Sequence, residues 1–267
     1  MNFNLPGVKR DPLACEVDLT VVVTCYNEHK FILDTLDLLT SALDQWGGRY
    51  EVIVMDDCST DHSAELVENY IAKRALTRLR LHRNQTNLGF GGNFVEGAFL
   101  GRGKYYRLCC GDNAESAEAF AHIFSLIGKA DLIIPYQVQS EVSGRSWQRR
   151  VLSRLFTGIV NLLSGNHILY YNSLPVFRRE HVIRFPPQTL GFGFQADIVT
   201  RMLQQDITYL QSRHRGPREL KGKDSTALTM RNLLSVVHTF AEIAIRRVSA
   251  ISYGKKRSRA RELLIDD

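Results

Sequence analysis

The chain has 267 residues, of which 44% are hydrophobic and 23% charged, and its net charge is +6. This composition is typical of a soluble globular protein and excludes a disordered, collagen-like or coiled-coil chain. The five cysteines contain no CxxC pair, and no apolar run reaches the roughly 20 residues that cross a bilayer. We therefore expect a cytoplasmic protein with reduced thiols and, because it is basic, an anionic partner.

The first half of the chain alternates short apolar runs with segments of helical periodicity. Buried strands are predicted at 18–24, 51–55, 79–82, 105–110 and 132–136. Helices are predicted at 29–45 and 63–72, from residue 93 onward, and at 115–127. Strands that alternate with helices imply right-handed crossovers and a mostly parallel sheet, so the predicted fold class is α/β.

The second half is less regular. A helix is predicted at 147–163, a strand at 170–177, a helix at 194–204 and a basic loop at 212–224. A long helix follows at 225–248, with a broad apolar face formed by Leu228, Leu233, Leu234, Val237, Phe240, Ala241 and Ile245. We expect this face to pack on the rest of the protein and the basic tail from residue 254 to be loose, in weak contact with an acidic membrane surface. The alternative is that the helix itself rests on that surface.

Four polar segments follow predicted strands of the first half. They are TCYNE at 24–28, DDCSTD at 56–61, NLGFGGN at 87–93 and GDN at 111–113. An open α/β sheet binds its ligands beyond the carboxyl ends of its strands. Each segment alone is explained by helix capping or a turn, but carboxylates at adjacent strand ends repel unless a cation or ligand lies between them. A nucleoside diphosphate with a divalent metal is a natural occupant.

Together these motifs resemble the family 2 glycosyltransferases over about residues 18–138. The resemblance implies a GT-A fold, with a mostly parallel central sheet flanked by helices and a C-terminal helical extension, and a UDP- or GDP-sugar donor. It divides the chain into a lead-in at 1–17, a nucleotide-sugar-binding half at 18–138, an acceptor-binding half at 139–224 and a C-terminal helix with a basic tail at 225–267.

The same resemblance assigns the nucleotide-binding residues. It implies that Tyr26 and Glu28 lie along the nucleoside, that Asp57 hydrogen-bonds the base and that Asp56 supports this turn. The segment from Gly89 to Asn93 would pass over the nucleotide, where small residues allow a close approach.

The resemblance also implies a catalytic metal, Mg²⁺ or Mn²⁺, held by Asp112. Asp112 stands at the metal-binding aspartate of the family's DxD motif, but the first carboxylate of that motif is missing and Cys110 occupies its place. Thr24 likewise stands where the family usually has proline. A single carboxylate holds such a cation when diphosphate and water complete its coordination shell.

The second half is similar, more loosely, to polyprenyl-phosphate sugar transferases of the dolichyl-phosphate mannosyltransferase branch. Arg145, Arg149, Ser153 and Arg218 are the candidates to bind an acceptor phosphate. Arg149 and Ser153 are four residues apart and share a helical face, where a guanidinium beside a hydroxyl suits a phosphate. Arg149 would also be catalytic, because it positions the attacking oxygen. The alternative is that these arginines are the solvated side of a helix.

The nature of the acceptor stays open at this point. A lipid phosphate is already ionised and needs no general base, whereas a hydroxyl acceptor requires one, for which Asp197 is the candidate. Two non-enzymatic alternatives are a basic nucleic-acid-binding module and an inactive scaffold. The first explains the charge but not the strand-end motifs, so we expect no nucleic-acid partner.

Overall fold

The computed structural model describes residues 17–136, 147–214, 230–252 and 260–264, without the side chains of Arg149, Met230 and Arg231. The strands are β1 Val17–Cys25, β2 Tyr50–Asp56, β3 Leu79–Arg83, β4 Gly103–Cys110, β5 Leu132–Tyr136, β6 Val176–Arg178, β7 Thr208–Arg213 and β8 Arg261–Glu262. The helices are α1 Ile32–Trp46, α2 Ser63–Arg74, α3 Gly89–Leu100, α4 Ala117–Ser125, α5 Trp147–Ser164, α6 Arg179–Arg184, α7 Phe194–Met202 and α8 Met230–Ser252. The predicted α/β class is confirmed.

All eight strands lie in one sheet, in the order β3-β2-β1-β4-β6-β5-β7-β8. The pairs β1–β2, β1–β4, β2–β3, β5–β7 and β7–β8 are parallel, whereas β6 runs antiparallel to both β4 and β5. The chain leaves β1 toward β3 on one side and returns to β4 on the other. Ligands of open α/β sheets bind at such a reversal, outside the carboxyl ends of the strands, here β1 and β4.

The central strands are covered by helices on both faces. Val21 and Val23 of β1 belong to the apolar core that includes Leu36 of α1, whereas Val22 belongs to the opposite core with Phe94 of α3. A strand buried on both faces appears in the sequence as a continuous apolar run, which explains the segment TVVVT.

Helix α3 begins earlier than predicted, at Gly89 instead of residue 93. Asp57 is the physical reason, because its carboxylate accepts hydrogen bonds from the backbone N–H groups of Leu88 (2.8 Å) and Gly89 (2.9 Å). This carboxylate comes from another strand end, so the local sequence contains no sign of the cap.

The predicted strand at 170–177 is wrong except at its end. Only 176–178 pair, as the short antiparallel β6 between β4 and β5. Residues 170 and 172–174 instead line a cleft, as shown below. The strand β7 and the helix α6 were not predicted, and the tail that we expected to be loose contains β8. The Leu263 N–H donates to the carbonyl of Tyr209 at 2.7 Å, which extends the sheet by one strand.

The predicted packing face of the last helix is wrong except at Phe240, which packs against the core. Leu233, Leu234, Val237 and Ile245 are exposed, and Leu228 lies outside the described residues. Helix α8 instead buries the side that carries Thr239 and Ile243. The reason is that α8 lies against a glycine-containing loop, where a Cβ on Gly193 would come within 2.3 Å of the Thr239 hydroxyl. Bulky apolar side chains do not fit at that contact.

Candidate active site

The loops that follow β1 and β2 are joined by hydrogen bonds. The Asn27 N–H donates to the Ser59 hydroxyl (3.0 Å), and the Asn27 side-chain oxygen accepts from the Thr60 N–H (2.8 Å). Both the N–H and the ring nitrogen Nδ1 of His29 contact Asp61, the ring at 2.7 Å. The two strand ends therefore form one unit rather than two independent turns.

Two predicted nucleotide-binding residues lie on this unit. The Glu28 N–H donates to the hydroxyl of Ser63, the first residue of α2, at 2.9 Å, which orients the Glu28 backbone. The ring of Tyr26 is 51% exposed and lies on the surface of the loop. An exposed aromatic ring next to fixed polar groups can stack on a planar ligand.

Asp57 and Asn93 belong to a second network beneath the start of α3. Asn84 donates from its side-chain nitrogen both to Asp57 (2.8 Å) and to the side-chain oxygen of Asn93 (2.7 Å). The Asn93 side-chain nitrogen in turn donates to the carbonyl of Gly89 at 2.9 Å. Asp57 and Asn93 are both buried. The structure therefore gives Asp57 and Asn93 a positioning task, which is to hold the glycine-rich turn at Gly89.

Asp56 differs from its neighbour. Its side chain is 5% exposed, and its Oδ1 atom has no hydrogen-bond donor among the described residues. A buried carboxylate oxygen without a donor is unfavourable by roughly 1–3 kcal/mol or more. Asp56 therefore has a buried acceptor that no described residue satisfies, whereas Asp57 carries the turn.

Asp112 lies in a tight turn at the end of β4. The Gly111 N–H donates to the carbonyl of Thr24 at 2.9 Å, and a Cβ on Gly111 would come within 2.7 Å of that oxygen, so only glycine fits. The Asn113 N–H donates to the Thr35 hydroxyl at 2.9 Å. Asp112 is partly buried and accepts from the Ala114 N–H at 3.3 Å. The turn thus presents one carboxylate beside the end of β1.

A cleft of about 750 Å³ lies between residues of the first half of the chain and residues of the second half. Its lining residues come from three places: the turn before α3, the end of β4 and the second half of the chain. They include Asn87, Leu88, Gly89, Phe90, Cys110, Ala114, Glu115, Tyr170, Asn172, Ser173, Leu174, Leu190, Gly191, Phe192, Gln195, His214 and Asn232. The size is that of a small-molecule site. Gly89 lines the cleft directly, and Asp112 falls in sequence between two lining residues.

The cleft is also lined by a buried ion pair that the sequence motifs do not predict. Arg107 of β4 is fully buried, and its guanidinium donates through both terminal nitrogens to the two carboxylate oxygens of Glu115. Burial disfavours the charged guanidinium, but the Glu115 carboxylate outweighs burial and raises the pKa of Arg107. An arginine within the strand run YYRLCC was the available signal, because a charge there requires a partner.

Asp197 does not lie among the cleft-lining residues. Its side chain is fully buried, and its Oδ2 accepts from the backbone N–H groups of Gln188 (2.6 Å) and Thr189 (3.2 Å). Its Oδ1 accepts from Arg246 of α8 at 2.8 Å. These contacts join the loop before the cleft to α8. They describe a structural carboxylate rather than a general base, so we correct its predicted role.

The predicted phosphate-binding residues are only partly described. Arg149 lies in the first turn of α5, but its side chain is outside the described residues, as are Arg145 and Arg218. Ser153 follows one turn later and is partly buried. Among the described residues there is no group of three or more His, Cys, Asp or Glu that could hold a metal ion by itself.

Comparisons with known proteins are consistent with this geometry. The family model for glycosyl transferase family 2 matches residues 20–185. A dolichyl-phosphate beta-glucosyltransferase of Dictyostelium discoideum is 31% identical over 118 residues, which are 42% of this chain and 36% of that protein. An undecaprenyl-phosphate 4-deoxy-4-formamido-L-arabinose transferase of Edwardsiella ictaluri is 25% identical over 166 residues, 62% of this chain and 50% of that protein. The chain thus matches half or less of these relatives' lengths.

A solved structure extends the likeness to the fold. The glucosyl-3-phosphoglycerate synthase of Mycobacterium tuberculosis, solved with Mn²⁺, UDP-glucose and phosphoglyceric acid, has a TM-score of 0.59 at 14% identity, covering 84% of this chain and 80% of that chain. Another structure of the same enzyme has a TM-score of 0.62 at 18% identity, with 85% and 81% coverage. At this identity the likeness concerns the fold, and it confirms the GT-A fold expected from the motifs.

Proposed function

Because the chain belongs to glycosyl transferase family 2, we propose that it transfers a sugar from a UDP- or GDP-sugar to a polyprenyl-phosphate acceptor. The donor occupies the strand ends of residues 18–138, and the acceptor enters from the half at 139–224. The observation that carries the proposal is the cleft itself. Its volume is about 750 Å³, and it is lined both by the turn at Gly89 and by residues of the second half. The names of the lipid-phosphate relatives support the choice of acceptor.

On the donor side, the rigid loops would hold the nucleoside. Tyr26 offers an exposed ring, and the backbone of Glu28 is fixed by Ser63. We assign the hydrogen bond to the base to Asp56, whose buried Oδ1 has no donor among the described residues. Asp57 and Asn93 keep Gly89 close to the cleft, where the absence of a side chain lets a diphosphate approach the backbone.

A divalent cation, Mg²⁺ or Mn²⁺, fits the residues present if it binds together with the donor. Asp112 supplies one carboxylate, and Cys110 stands where a second would be. Mg²⁺ is commonly bound through one or two carboxylates with the remaining ligands taken from phosphates and water. When bound, such a cation would stabilise the negative charge on the departing nucleoside diphosphate.

The transfer needs no general base. An oxygen of the acceptor phosphate, already ionised near neutral pH, attacks the anomeric carbon on the face opposite the nucleoside diphosphate. The new C–O bond forms while the C–O bond to the diphosphate breaks, and the electron pair leaves with the diphosphate, so the configuration inverts. Arg149 and Ser153, with Arg145 and Arg218, would orient the acceptor phosphate. Asp197 takes no part as a base, since both of its oxygens accept hydrogen bonds elsewhere.

The deciding experiment is a transfer assay with UDP-glucose or GDP-mannose, Mg²⁺ or Mn²⁺, and a short polyprenyl phosphate that stays in solution. With a labelled sugar on the donor, we expect the label to appear in the organic phase. Asp112→Ala should lower turnover at least about a hundredfold, equivalent to about 3 kcal/mol. The exposed Asp34 of α1 provides the control, and Asp34→Ala should leave turnover unchanged. Donor binding without extractable product would contradict the lipid-phosphate acceptor.

A second variant tests the metal. Cys110→Asp restores the second carboxylate, so we expect half-maximal activity at a lower Mn²⁺ concentration than in the unmodified chain. Activity that is insensitive to chelator in both proteins would contradict metal dependence.

We also propose that the protein works in the cytoplasm, in peripheral contact with the inner face of the membrane that contains its acceptor. Among the described residues, no helix is both long and apolar enough to cross a bilayer.

A further inference from the structure

Exposed apolar side chains are concentrated on two helices. Of the nineteen large apolar side chains exposed in the described part of the chain, twelve lie on α5 and α8. They are Trp147, Val151, Leu152, Leu155, Ile159 and Leu162 on α5, and Leu233, Leu234, Val237, Ile245, Val248 and Ile251 on α8. Most are separated by three or four residues, so each set forms a stripe along one side of its helix. We call the two stripes together the α5–α8 face.

The two helices are neighbours. The rings of Phe156 and Phe240 lie between them with centroids 5.5 Å apart. Arg247 of α8 donates to the backbone carbonyls of Leu162 and Leu163, the latter at 3.1 Å, near the end of α5. These contacts use the inner sides of both helices. The exposed stripes are therefore parts of one apolar surface rather than two distant patches, and such a surface usually marks an interaction site.

The charge on these helices points to an anionic partner. Helices α5 and α8 carry six arginines and one glutamate, Glu242. The sequence after α8 adds Lys255, Lys256, Arg257, Arg259 and Arg261 before the next acidic residue, Glu262. Apolar side chains combined with arginines are the composition of helices that lie in the headgroup region of anionic bilayers.

A second copy of the chain is a poorer occupant. In a twofold symmetric contact the same surface of each copy meets itself, so exposed basic side chains such as Arg154 of one copy would approach those of the other. Arg246 and Arg247 are held in contacts within the protein, and among the other described side chains of the two helices Arg150 and Arg154 outnumber Glu242, so such a contact brings like charges together. A bilayer with anionic headgroups instead neutralises them.

The α5–α8 face is continuous with the cleft. Asn232 of α8 lines the cleft, one residue before the exposed Leu233. The loop beneath α8 also lines it, and a Cβ on Gly191 would lie 1.9 Å from the Ser235 hydroxyl, so α8 rests directly on that loop. Leu190 and Phe192 of the same loop line the cleft and are exposed. The apolar surface thus reaches the mouth of the cleft.

We propose that the α5–α8 face is the surface through which this protein binds an anionic lipid bilayer. Bound in this way, the mouth of the cleft lies at the headgroup level, where a polyprenyl phosphate presents its phosphate while its chain stays among the lipid tails. The role of the surface in acceptor capture rests on the proposed function, whereas its binding to lipid does not.

The test uses the full chain and flotation with vesicles of phosphatidylcholine, with or without phosphatidylglycerol and without any polyprenyl phosphate. We expect binding that requires phosphatidylglycerol and weakens with salt. The double variant Leu155→Glu/Ile245→Glu places one carboxylate on each helix, at side chains that are 56% and 60% exposed. It should bind about tenfold more weakly or worse, because binding scales with buried apolar area.

The matched control is Phe99→Glu, the same change at a side chain of α3 that is 57% exposed, and it should bind like the unmodified chain. A second pair, Leu162→Glu/Val248→Glu, repeats the test if the first pair alters the melting temperature. Vesicle binding that is absent, or unchanged in both pairs, would overturn the proposal. So would a dimer in solution that either pair converts to a monomer, since the face would then join two copies.

The two proposals fail separately. Intact vesicle binding with no sugar transfer to a soluble short-chain acceptor would count against the proposed function and leave the bilayer surface standing. Transfer to the soluble acceptor with no vesicle binding would count against the bilayer surface alone.

Discussion

The proposed donor side, at residues 18–138, and the proposed acceptor side, at residues 139–224, are stabilised in different ways. On the donor side, the side chains that matter contact the ends of neighbouring parallel strands, as when Asn27 contacts Thr60 and Asp57 contacts Gly89. On the acceptor side, the loop at Gln188 and Thr189 is held by Asp197, which is held in turn by Arg246 of the last helix. The donor loops are thus held by contacts between neighbouring strand ends. The acceptor loop instead depends on the buried carboxylate of Asp197 and on helix α8.

The largest expected loss of stability comes from removing the buried carboxylate of the acceptor side. Asp197→Ala leaves Arg246 buried without its carboxylate and removes the acceptor for two backbone N–H groups. Removing one partner of a buried ion pair typically destabilises a protein by about 3–5 kcal/mol, and we expect a loss of that size. Urea unfolding followed by circular dichroism measures it. Near-unchanged stability would mean that the two sides do not differ in this way.

Asp206 supplies the matched control for this variant. It is an exposed aspartate shortly after α7, so Asp206→Ala removes the same group without exposing a buried charge. We expect a change within about 0.5 kcal/mol, as is usual for surface substitutions.

The next effect concerns the donor side. Asp57→Ala removes the cap of α3 and leaves the N–H groups of Leu88 and Gly89 without their acceptor, so we expect about 2 kcal/mol of destabilisation. We also expect weaker UDP binding in calorimetry, because the turn at Gly89 lines the cleft.

Ser116→Ala separates these two consequences. Ser116 caps α4 by accepting from the Ala119 N–H at 3.2 Å and does not line the cleft. Its removal should lower stability by about 1 kcal/mol and leave UDP affinity unchanged. Equal UDP affinity in Asp57→Ala and Ser116→Ala would mean that Asp57 serves the helix alone.

The same contrast explains what could be predicted from the sequence. The buried parallel strands appear as apolar runs, and the donor motifs follow them directly, so β1 to β5 and the polar strand ends were found. The early start of α3 was missed because Asp57, its cap, is distant in sequence. On the acceptor side, β6 pairs over three residues and β8 over two, which is too short for any periodicity.

Helix α8 shows a different limit. Its amphipathic pattern predicted the helix correctly, but the pattern does not say whether the apolar side meets protein or lipid. The small and polar side packs inward because Gly191 and Gly193 lie beneath it, and those glycines are far away in the sequence. The carboxylate chemistry of Asp197 makes it a candidate general base, but the sequence does not reveal that this carboxylate is bonded to Arg246, which lies 49 residues further along the chain.

The smallest expected effect concerns the pH dependence of stability on the donor side. Burial raises the pKa of Asp61, but hydrogen bonds from Ser63 and His29 outweigh burial and hold it at about 2. The unfolded chain protonates this carboxyl at a higher pH, so the stabilisation is fully present above the ordinary aspartate range and is lost as the pH falls toward 2. Urea unfolding between pH 6 and the acid limit should therefore show a shallower loss in Asp61→Asn than in the unmodified chain. Asp34→Asn, on an exposed residue, should follow the unmodified chain, and parallel curves for all three would mean that the loops of β1 and β2 are not joined through Asp61 in solution.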